Sequence, residues 1–298
     1  MIRRSGPVVA AVDGTGDGLR AARYAAQEAL RRRSGLRLVH VLHETVAWVP
    51  ALPAFTYESL RTTGLEILDE AVDAVDDVTG GVLHVEAVLT RGPRVPALLD
   101  RMRDASLVVV ATRPSTVKRV LTGSTSVALS ARSRCPVVCV PETWRPSVGQ
   151  HRVVAGVDGS EATEPVLDAA FEEAAERDAA LTVVHAWRPS SSVDPTTAAL
   201  AEARWRENAD AELERLVEVR HAAYPDVKVH LWLPHEWPAD ALVEASADAD
   251  LLVVGRRGHG GLLGLSLGGT SRSLLRVSRC PVAVVPDPLG ADLAARAG

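Results

Sequence analysis

The sequence is poor in aromatic residues and in cysteine, and it contains no long apolar run. Of its 298 residues, 4% are aromatic and three are cysteine. Three scattered cysteines provide neither a disulfide framework nor the paired spacing of a zinc site. No apolar stretch approaches the roughly 20 residues that cross a bilayer, and the run Val8–Val12 is too short for a signal peptide. We therefore expect a cytoplasmic protein that has no membrane partner.

A surplus of basic residues is also lacking. The chain carries 33 Lys and Arg against 38 Asp and Glu, which gives a net charge of −5 at pH 7. Proteins that neutralise a nucleic-acid backbone are usually basic, so nucleic acid is not an expected partner. With 47% hydrophobic residues the chain is globular rather than disordered. Its length fits two domains.

The sequence repeats itself after about 145 residues. VVAAVDGT at 8–15 returns as VVAGVDGS at 153–160, which is an offset of 145 (158 − 13). This tandem duplication predicts one domain over 1–145 and a second over 146–298. The matched segments are 8–15 with 153–160, 104–110 with 248–254, and 134–138 with 279–283.

Each copy alternates short β-branched runs with segments of helical periodicity. This alternation predicts two α/β domains of the doubly wound, Rossmann-like kind, each with a five-stranded parallel sheet and helices on both faces. In the second copy, the first helix is expected to begin at Ser160. The strands of that copy are expected near 153–157, 181–186, 227–233, 251–254 and 282–285.

A glycine-rich loop follows the fourth predicted strand of the second copy. It reads GRRGHGG at 255–261 and continues to GGTS at 268–271, where the next helix begins. Such glycines are expected to adopt positive φ and to turn backbone N–H groups toward phosphate, which a helix N-terminus also favours. Asp158 ends the first strand at the same sheet edge, where its carboxylate suits a ribose hydroxyl or an adenine amino group. The pattern predicts a nucleotide between these two strand ends.

These features resemble the universal stress protein family in its tandem, ATP-binding form. The resemblance covers nearly the whole chain and rests on VDGS or VDGT, on HAW at 185–187, and on the loop. The family's loop has Gly, two residues, Gly, nine residues, Gly, and then Ser or Thr, and Gly255, Gly258 and Gly268 fit it. Gly269 replaces the Ser or Thr, so Thr270 or Ser271 would have to supply the hydroxyl. The resemblance implies ATP, with Mg²⁺, as the ligand.

The first copy departs further from the family pattern. Its loop reads Ala111-Thr112-Arg113-Pro114 and then reaches Gly123. Proline has no N–H and a fixed φ, so Pro114 cannot replace Gly258. We expect ATP in the second copy and weak or no binding in the first.

The predicted site contains no catalytic residue and no metal ligand. Simpler interpretations stay open: the loop is only a turn, its charged side chains are solvated, Asp13 and Asp158 cap helices, and His40 and His185 are structural. The candidate nucleotide contacts of the second copy are Gly156, Val157, Asp158, Ala186, Gly255, Arg256, Arg257, Gly258, His259, Gly260, Gly261, Gly268, Gly269, Thr270 and Ser271. Those of the first copy are Ala11, Asp13, Val41, Gly123, Ser124 and Thr125.

The resemblance implies a role in stress response or growth regulation, through nucleotide-dependent conformation or the binding of an unknown protein partner. It implies no committed catalysis. The alternatives are an ATP-hydrolysing or adenylyl-transferring enzyme on the same fold, and a nucleotide-free dimerisation scaffold. By the same resemblance, the last strands of the two copies, 136–140 and 281–285, would pair within the chain as a pseudo-dimer, with a homodimer as a further option.

Overall fold

The structure is a computed structural model that describes residues 6–42, 54–112, 125–146, 149–187, 195–259 and 267–287. The chain divides into two compact units, with the boundary between Pro146 and Ser147.

The first unit alternates strands with helices along the described residues. Its sheet has the order β3-β2-β1-β4-β5, and every neighbouring pair is parallel. The elements are β1 (Val8–Val12), α1 (Gly16–Arg32), β2 (Leu36–Leu42), α2 (Ala54–Thr79), β3 (Val85–Arg91), α3 (Arg94–Arg101), β4 (Leu107–Ala111), α4 (Thr125–Arg132) and β5 (Val137–Val140).

The second unit has the same arrangement. Its sheet has the order β8-β7-β6-β9-β10, again parallel throughout. The elements are β6 (Arg152–Gly156), α5 (Thr163–Glu176), β7 (Ala180–Val184), α6 (Pro195–His221), β8 (Val229–Trp232), α7 (Pro238–Ala245), β9 (Leu251–Gly255), α8 (Gly269–Val277) and β10 (Val282–Val285).

This strand order confirms the predicted doubly wound α/β fold. In each sheet the chain moves outward in one direction from the first strand and then returns to continue on its other side. The strand order therefore reverses between β1 and β4, and between β6 and β9. In open α/β sheets a ligand crevice lies at such a reversal, beyond the carboxyl ends of the strands.

The strands form where apolar residues run without interruption, because both sheet faces are covered. Val8, Val9 and Ala10 of β1, for example, are fully buried. Helix α1 begins where the Thr15 side chain accepts a hydrogen bond from the Gly18 N–H at 3.3 Å. The corresponding helix α5 begins at Thr163, later than the predicted Ser160.

The late start of α5 has a local cause. The Ser160 N–H donates to Asp158 Oδ1 at 3.1 Å, and the Ala162 N–H donates to Ser160 Oγ at 3.3 Å. These side-chain acceptors stabilise a turn over 158–162, which postpones the first helical hydrogen bond. Asp158 therefore orders this turn and does not cap the helix, whose N-cap is Ala162.

The three cysteines are buried, and none of them forms a disulfide. Burial raises the pKa of the Cys139 and Cys280 thiols to about 12, so both are protonated near neutral pH. Cys135 and Cys280 each precede a proline that leads into the last strand of a sheet, where a buried cysteine packs as a small apolar side chain. None of the described helices combines the length and the apolar character that a bilayer-spanning helix requires.

Candidate nucleotide site

The candidate site lies at the carboxyl edge of the second sheet, where β6 and β9 are neighbours. The two strands pair in parallel, Val153 with Leu251 through Gly156 with Val254, so their ends leave the sheet side by side. The turn 158–160 follows β6 and the loop 255–259 follows β9. Helix α8 starts at the same edge, because the Gly268 N–H donates to the Arg256 carbonyl at 2.9 Å.

The Asp158 carboxylate joins these two segments. Its Oδ1 accepts a hydrogen bond from the Ser160 N–H at 3.1 Å, and its Oδ2 accepts one from the His259 N–H at 2.8 Å. The His259 imidazole lies beside the same carboxylate, with Nδ1 3.9 Å from Oδ1. The sequence made His259 a candidate nucleotide contact; in the structure its backbone N–H already has a carboxylate acceptor.

Gly255 and Gly258 provide space rather than positive φ, which corrects the sequence expectation for these two loop glycines. None of Gly255, Gly258 and Gly268 lies in the left-handed region, whereas Gly159, in the turn after β6, has φ +75°. A Cβ on Gly258 would overlap Asp158 Oδ2 and lie 3.0 Å from its Cγ.

Gly255 is restricted from the side of helix α5. A Cβ on Gly255 would lie 2.8 Å from Ala162 Cβ and 3.0 Å from the Arg257 carbonyl oxygen. Each of these two glycines thus permits a close approach that a side chain would prevent.

The N-terminus of α8 presents backbone donors at this edge. Gly268 is the N-cap, with φ −62° and ψ 157°, and as a glycine it has no side chain that could cap the helix. Gly269 is exposed, and no atom of the described residues lies within 4 Å of the position that its Cβ would take. N–H groups in a first helical turn have no intrahelical acceptor, and together with the helix dipole they favour an anion.

The two hydroxyl candidates on α8 differ in their surroundings. Ser271 is buried, and its Oγ donates to the Gly255 carbonyl at 2.7 Å, which joins the helix to the end of β9. Thr270 is half-buried at the first turn. Thr270 is therefore the better placed of the two to replace the hydroxyl that the family pattern puts at Gly269.

The loop cation Arg257 is engaged in an ion pair. Its Nε and Nη2 lie 2.8 Å and 2.7 Å from Asp287 Oδ2, just beyond β10. Arg257 thus anchors the loop to the neighbouring strand end, and the adjacent Arg256 N–H donates to the Val285 carbonyl at 2.9 Å. The sequence made Arg257 a candidate nucleotide contact, with a solvated loop charge as the alternative, and it gave no sign of Asp287, since an isolated carboxylate carries no motif.

His185 lies behind the turn that follows β6. Its Cε1 is 4.0 Å, and the His259 Cε1 3.8 Å, from the position that a Cβ on Gly159 would take. Burial lowers the pKa of His185, with a smaller lowering by the His259 charge and an opposing effect of Asp158. His40, at the matching position of the first unit, has its Nδ1 2.9 Å from the Val12 carbonyl, as a structural histidine would.

The remaining candidates of the second unit line the strand ends. Gly156 ends β6, and a Cβ there would lie 2.8 Å from Leu242 Cδ1. The absence of a side chain at Gly156 therefore allows Leu242 of helix α7 to pack closely against the strand end. Val157 is buried, and its N–H donates to the Val184 carbonyl at 3.0 Å. Ala186 follows β7 and is half-buried. Gly260 and Gly261 lie outside the described residues.

The first unit has a matching turn with different surroundings. Gly14 has φ +71°, and Asp13 Oδ1 accepts from the Thr15 hydroxyl at 2.5 Å. A Cβ on Gly14 would lie 2.8 Å from the Ile67 Cδ1 of α2, whereas imidazole carbons approach Gly159.

The other candidates of the first unit are only partly described. Ala11 and Val41 lie within β1 and β2, and Thr125 is the first residue of α4. Gly123, Ser124 and Pro114 lie outside the described residues. Across the described parts of both units, no three His, Cys, Asp or Glu side chains are grouped so that they could hold a metal ion.

The protein consists of two doubly wound α/β domains in tandem. In the second domain, a glycine loop and a helix N-terminus lie where the strand order reverses, and these features define its class. The family model described as "Universal stress protein family" matches residues 5–141 and again residues 150–286. The chain belongs to the universal stress protein family, as the sequence motifs predicted.

Relatives of known name support the tandem assignment. Universal stress protein Rv2005c of Mycobacterium tuberculosis is 32% identical over 289 residues, which cover 95% of this chain and 97% of that protein. Universal stress protein Rv2623 of the same organism is 33% identical, over 90% of this chain and 92% of its own. The crystal structure of a universal stress protein from Archaeoglobus fulgidus shares the fold, with a TM-score of 0.72, 19% identity and coverage of 95% and 97%.

Proposed function

We propose that the second domain binds an adenine nucleotide, ATP in the first place, at the carboxyl ends of β6 and β9. The observation that carries this proposal is the meeting of the α8 N-terminus with the glycine loop at the strand reversal. The Gly268 N–H donates to the Arg256 carbonyl at 2.9 Å, so the uncapped first turn of α8 lies directly beside the loop. Exposed backbone donors at this edge suit a phosphate group.

The ligand's other parts follow from the direction of the sheet. With phosphate at α8, beyond β9, the ribose lies over β6 and the base points toward β7, where Ala186 follows the strand. Neighbouring parallel strands are about 4.8 Å apart, so two strand spacings match the length of a nucleoside. Mg²⁺ would arrive bound to the triphosphate.

The biological role that we propose is nucleotide-responsive regulation in stress response or growth control, without committed catalysis. Membership of the universal stress protein family supports this role. In it, bound ATP changes the conformation of the protein or its affinity for a protein partner. An ATP-hydrolysing or adenylyl-transferring activity is the competing proposal, and product formation during prolonged incubation with ATP would test it.

The first experiment is to denature the purified full-length protein and to identify any released nucleotide by chromatography and mass. Calorimetric titration of nucleotide-free protein with Mg-ATP follows. We expect about one site per chain. Gly258→Pro should abolish binding, because the ring would displace the loop from Asp158. Two sites per chain would mean that the first domain also binds ATP. No binding at all would favour the alternative of a nucleotide-free dimerisation scaffold.

Gly16→Pro is the matched control for the introduction of proline. Gly16 is the first residue of α1, where proline is tolerated, and within the described part of the chain no atom lies within 4 Å of its missing Cβ. The preceding Thr15 has φ −111° and ψ 159°, which is compatible with a following proline. This variant should fold and bind ATP as the wild type does.

A further inference from the structure

The Asp158 carboxylate accepts backbone donors from two segments that are far apart in sequence. One donor is Ser160 in its own turn, and the other is His259, which is 101 residues away. A hydrogen bond to an ionised acceptor is about twice as strong as a neutral one. The Asp158 side chain is 42% exposed, so the carboxylate lies at the mouth of the site rather than in the core.

The loop is shaped to receive this carboxylate. Because Gly258 has no Cβ, its backbone lies against Asp158 Oδ2, where any side chain would overlap that oxygen. The next N–H, that of His259, then reaches the same oxygen at 2.8 Å. One residue provides the space and the following residue provides the donor, so the loop and the carboxylate are complementary.

We propose that Asp158 is a positioning residue, whose carboxylate holds the loop 255–259 against the end of β6 and thereby fixes the loop next to the α8 N-terminus. The inference rests on the proposed nucleotide site and changes the role of one of its members. From the sequence, this carboxylate was expected to suit a ribose hydroxyl or an adenine amino group of the ligand. In the structure, each of its oxygens already accepts a backbone N–H.

A double-mutant cycle tests whether the carboxylate and the loop act as one unit. Asp158→Ala removes the acceptor, and Gly258→Ala pushes the loop away from the same oxygen, so each is expected to weaken Mg-ATP binding about tenfold or more in calorimetric titration. With the carboxylate gone, the alanine at 258 no longer overlaps Asp158 Oδ2. The double variant should therefore bind no more weakly than Asp158→Ala alone. If the two losses multiply instead, the loop and the carboxylate act independently, and that result would overturn the proposal.

Amide hydrogen exchange measured on nucleotide-free protein provides a readout that does not depend on ATP. The His259 amide should exchange at least tenfold faster in Asp158→Ala, while amides within β9 keep their protection. Unchanged exchange at His259 would refute the positioning role. Wild-type protein that shows this protection and does not bind ATP would refute the proposed function and leave the positioning role intact.

Asp250 offers a matched control. Its carboxylate also accepts two backbone N–H groups, from Gln150 at 2.7 Å and from Arg152 at 3.0 Å. It lies at the opposite, amino end of the same strands, just before β9 and beside the start of β6. Asp250→Ala should lower stability through the same kind of lost bonds but leave the affinity for Mg-ATP unchanged.

Discussion

The N-terminus of α8 can be tested by a change that removes one N–H group and little else. Gly269→Pro deletes the backbone donor of the first helical residue, which has no intrahelical acceptor in any case. Proline is favoured at this helical position. The preceding Gly268, at φ −62° and ψ 157°, already has the extended backbone that a residue before proline requires. Among the residues that the structure describes, none has an atom within 4 Å of the position of the missing Cβ.

The expected loss follows from the charge of the ligand. A hydrogen bond to a charged group contributes about 1.5–3 kcal/mol, and each 1.4 kcal/mol is a tenfold change in affinity. Gly269→Pro should therefore weaken Mg-ATP binding by roughly 10- to 150-fold. Its thermal midpoint should equal or exceed that of the wild type, because proline restricts the unfolded chain.

Gly269→Ala is the matched control, since it adds a Cβ and keeps the N–H. The assay is calorimetric titration of all variants with Mg-ATP, together with thermal unfolding. Gly269→Ser, which restores the residue type that the family pattern has here, should bind about two- to tenfold more tightly than the alanine variant. Equal affinities of the proline and alanine variants would refute phosphate binding at the α8 N-terminus.

Two further predictions concern stability. Gly255→Ala should lower the free energy of unfolding by about 1–3 kcal/mol in urea titration, because the new Cβ would lie 2.8 Å from Ala162 Cβ. Adding Ala162→Gly to this variant removes the close contact and should recover part of the lost stability. His185→Gln should flatten the pH dependence of the free energy of unfolding, measured between pH 7 and pH 5. Burial lowers the pKa of His185 in the folded protein below its ordinary 6.5, so the unfolded chain binds the proton first. The stability of the wild type therefore falls as the pH falls below 6.5. The control His230→Gln changes an exposed histidine and should leave the pH dependence of stability as in the wild type. An unchanged pH dependence in His185→Gln would contradict the attribution of this effect to His185.

The fold could be predicted because its signals are local and occur twice. Uninterrupted apolar runs such as Val8–Val12 identify strands that are buried on both faces, and the offset of 145 aligns each run with a second copy. Element boundaries were less predictable. The VDGS segment does not reveal that Asp158 and Ser160 side chains compete with the first helical hydrogen bonds and move the start of α5 to Thr163.

The site was predictable in its location but not in its internal contacts. The glycine spacing correctly brought the loop and α8 to the carboxyl edge beside Asp158. It could not distinguish a glycine that needs positive φ, such as Gly159, from one that needs space, such as Gly258, because the neighbour that fills the space is about 100 residues distant. For the same reason, the contacts of Ser271 with Gly255 and of Arg257 with Asp287 carry no sequence signal.

The first domain differs from the second in more than its loop. Both turns contain a left-handed glycine, but the side chain of Ile67 lies on Gly14, while imidazole groups approach Gly159. We therefore expect the Ile67 side chain of α2 to hinder a ligand in the first domain, in addition to the loss of a glycine at Pro114 that the sequence shows. Pro114→Gly alone should therefore leave the binding stoichiometry at about one Mg-ATP per chain, and a second site should require Ile67→Ala as well. Two sites in the Pro114→Gly variant would show that the loop alone distinguishes the domains.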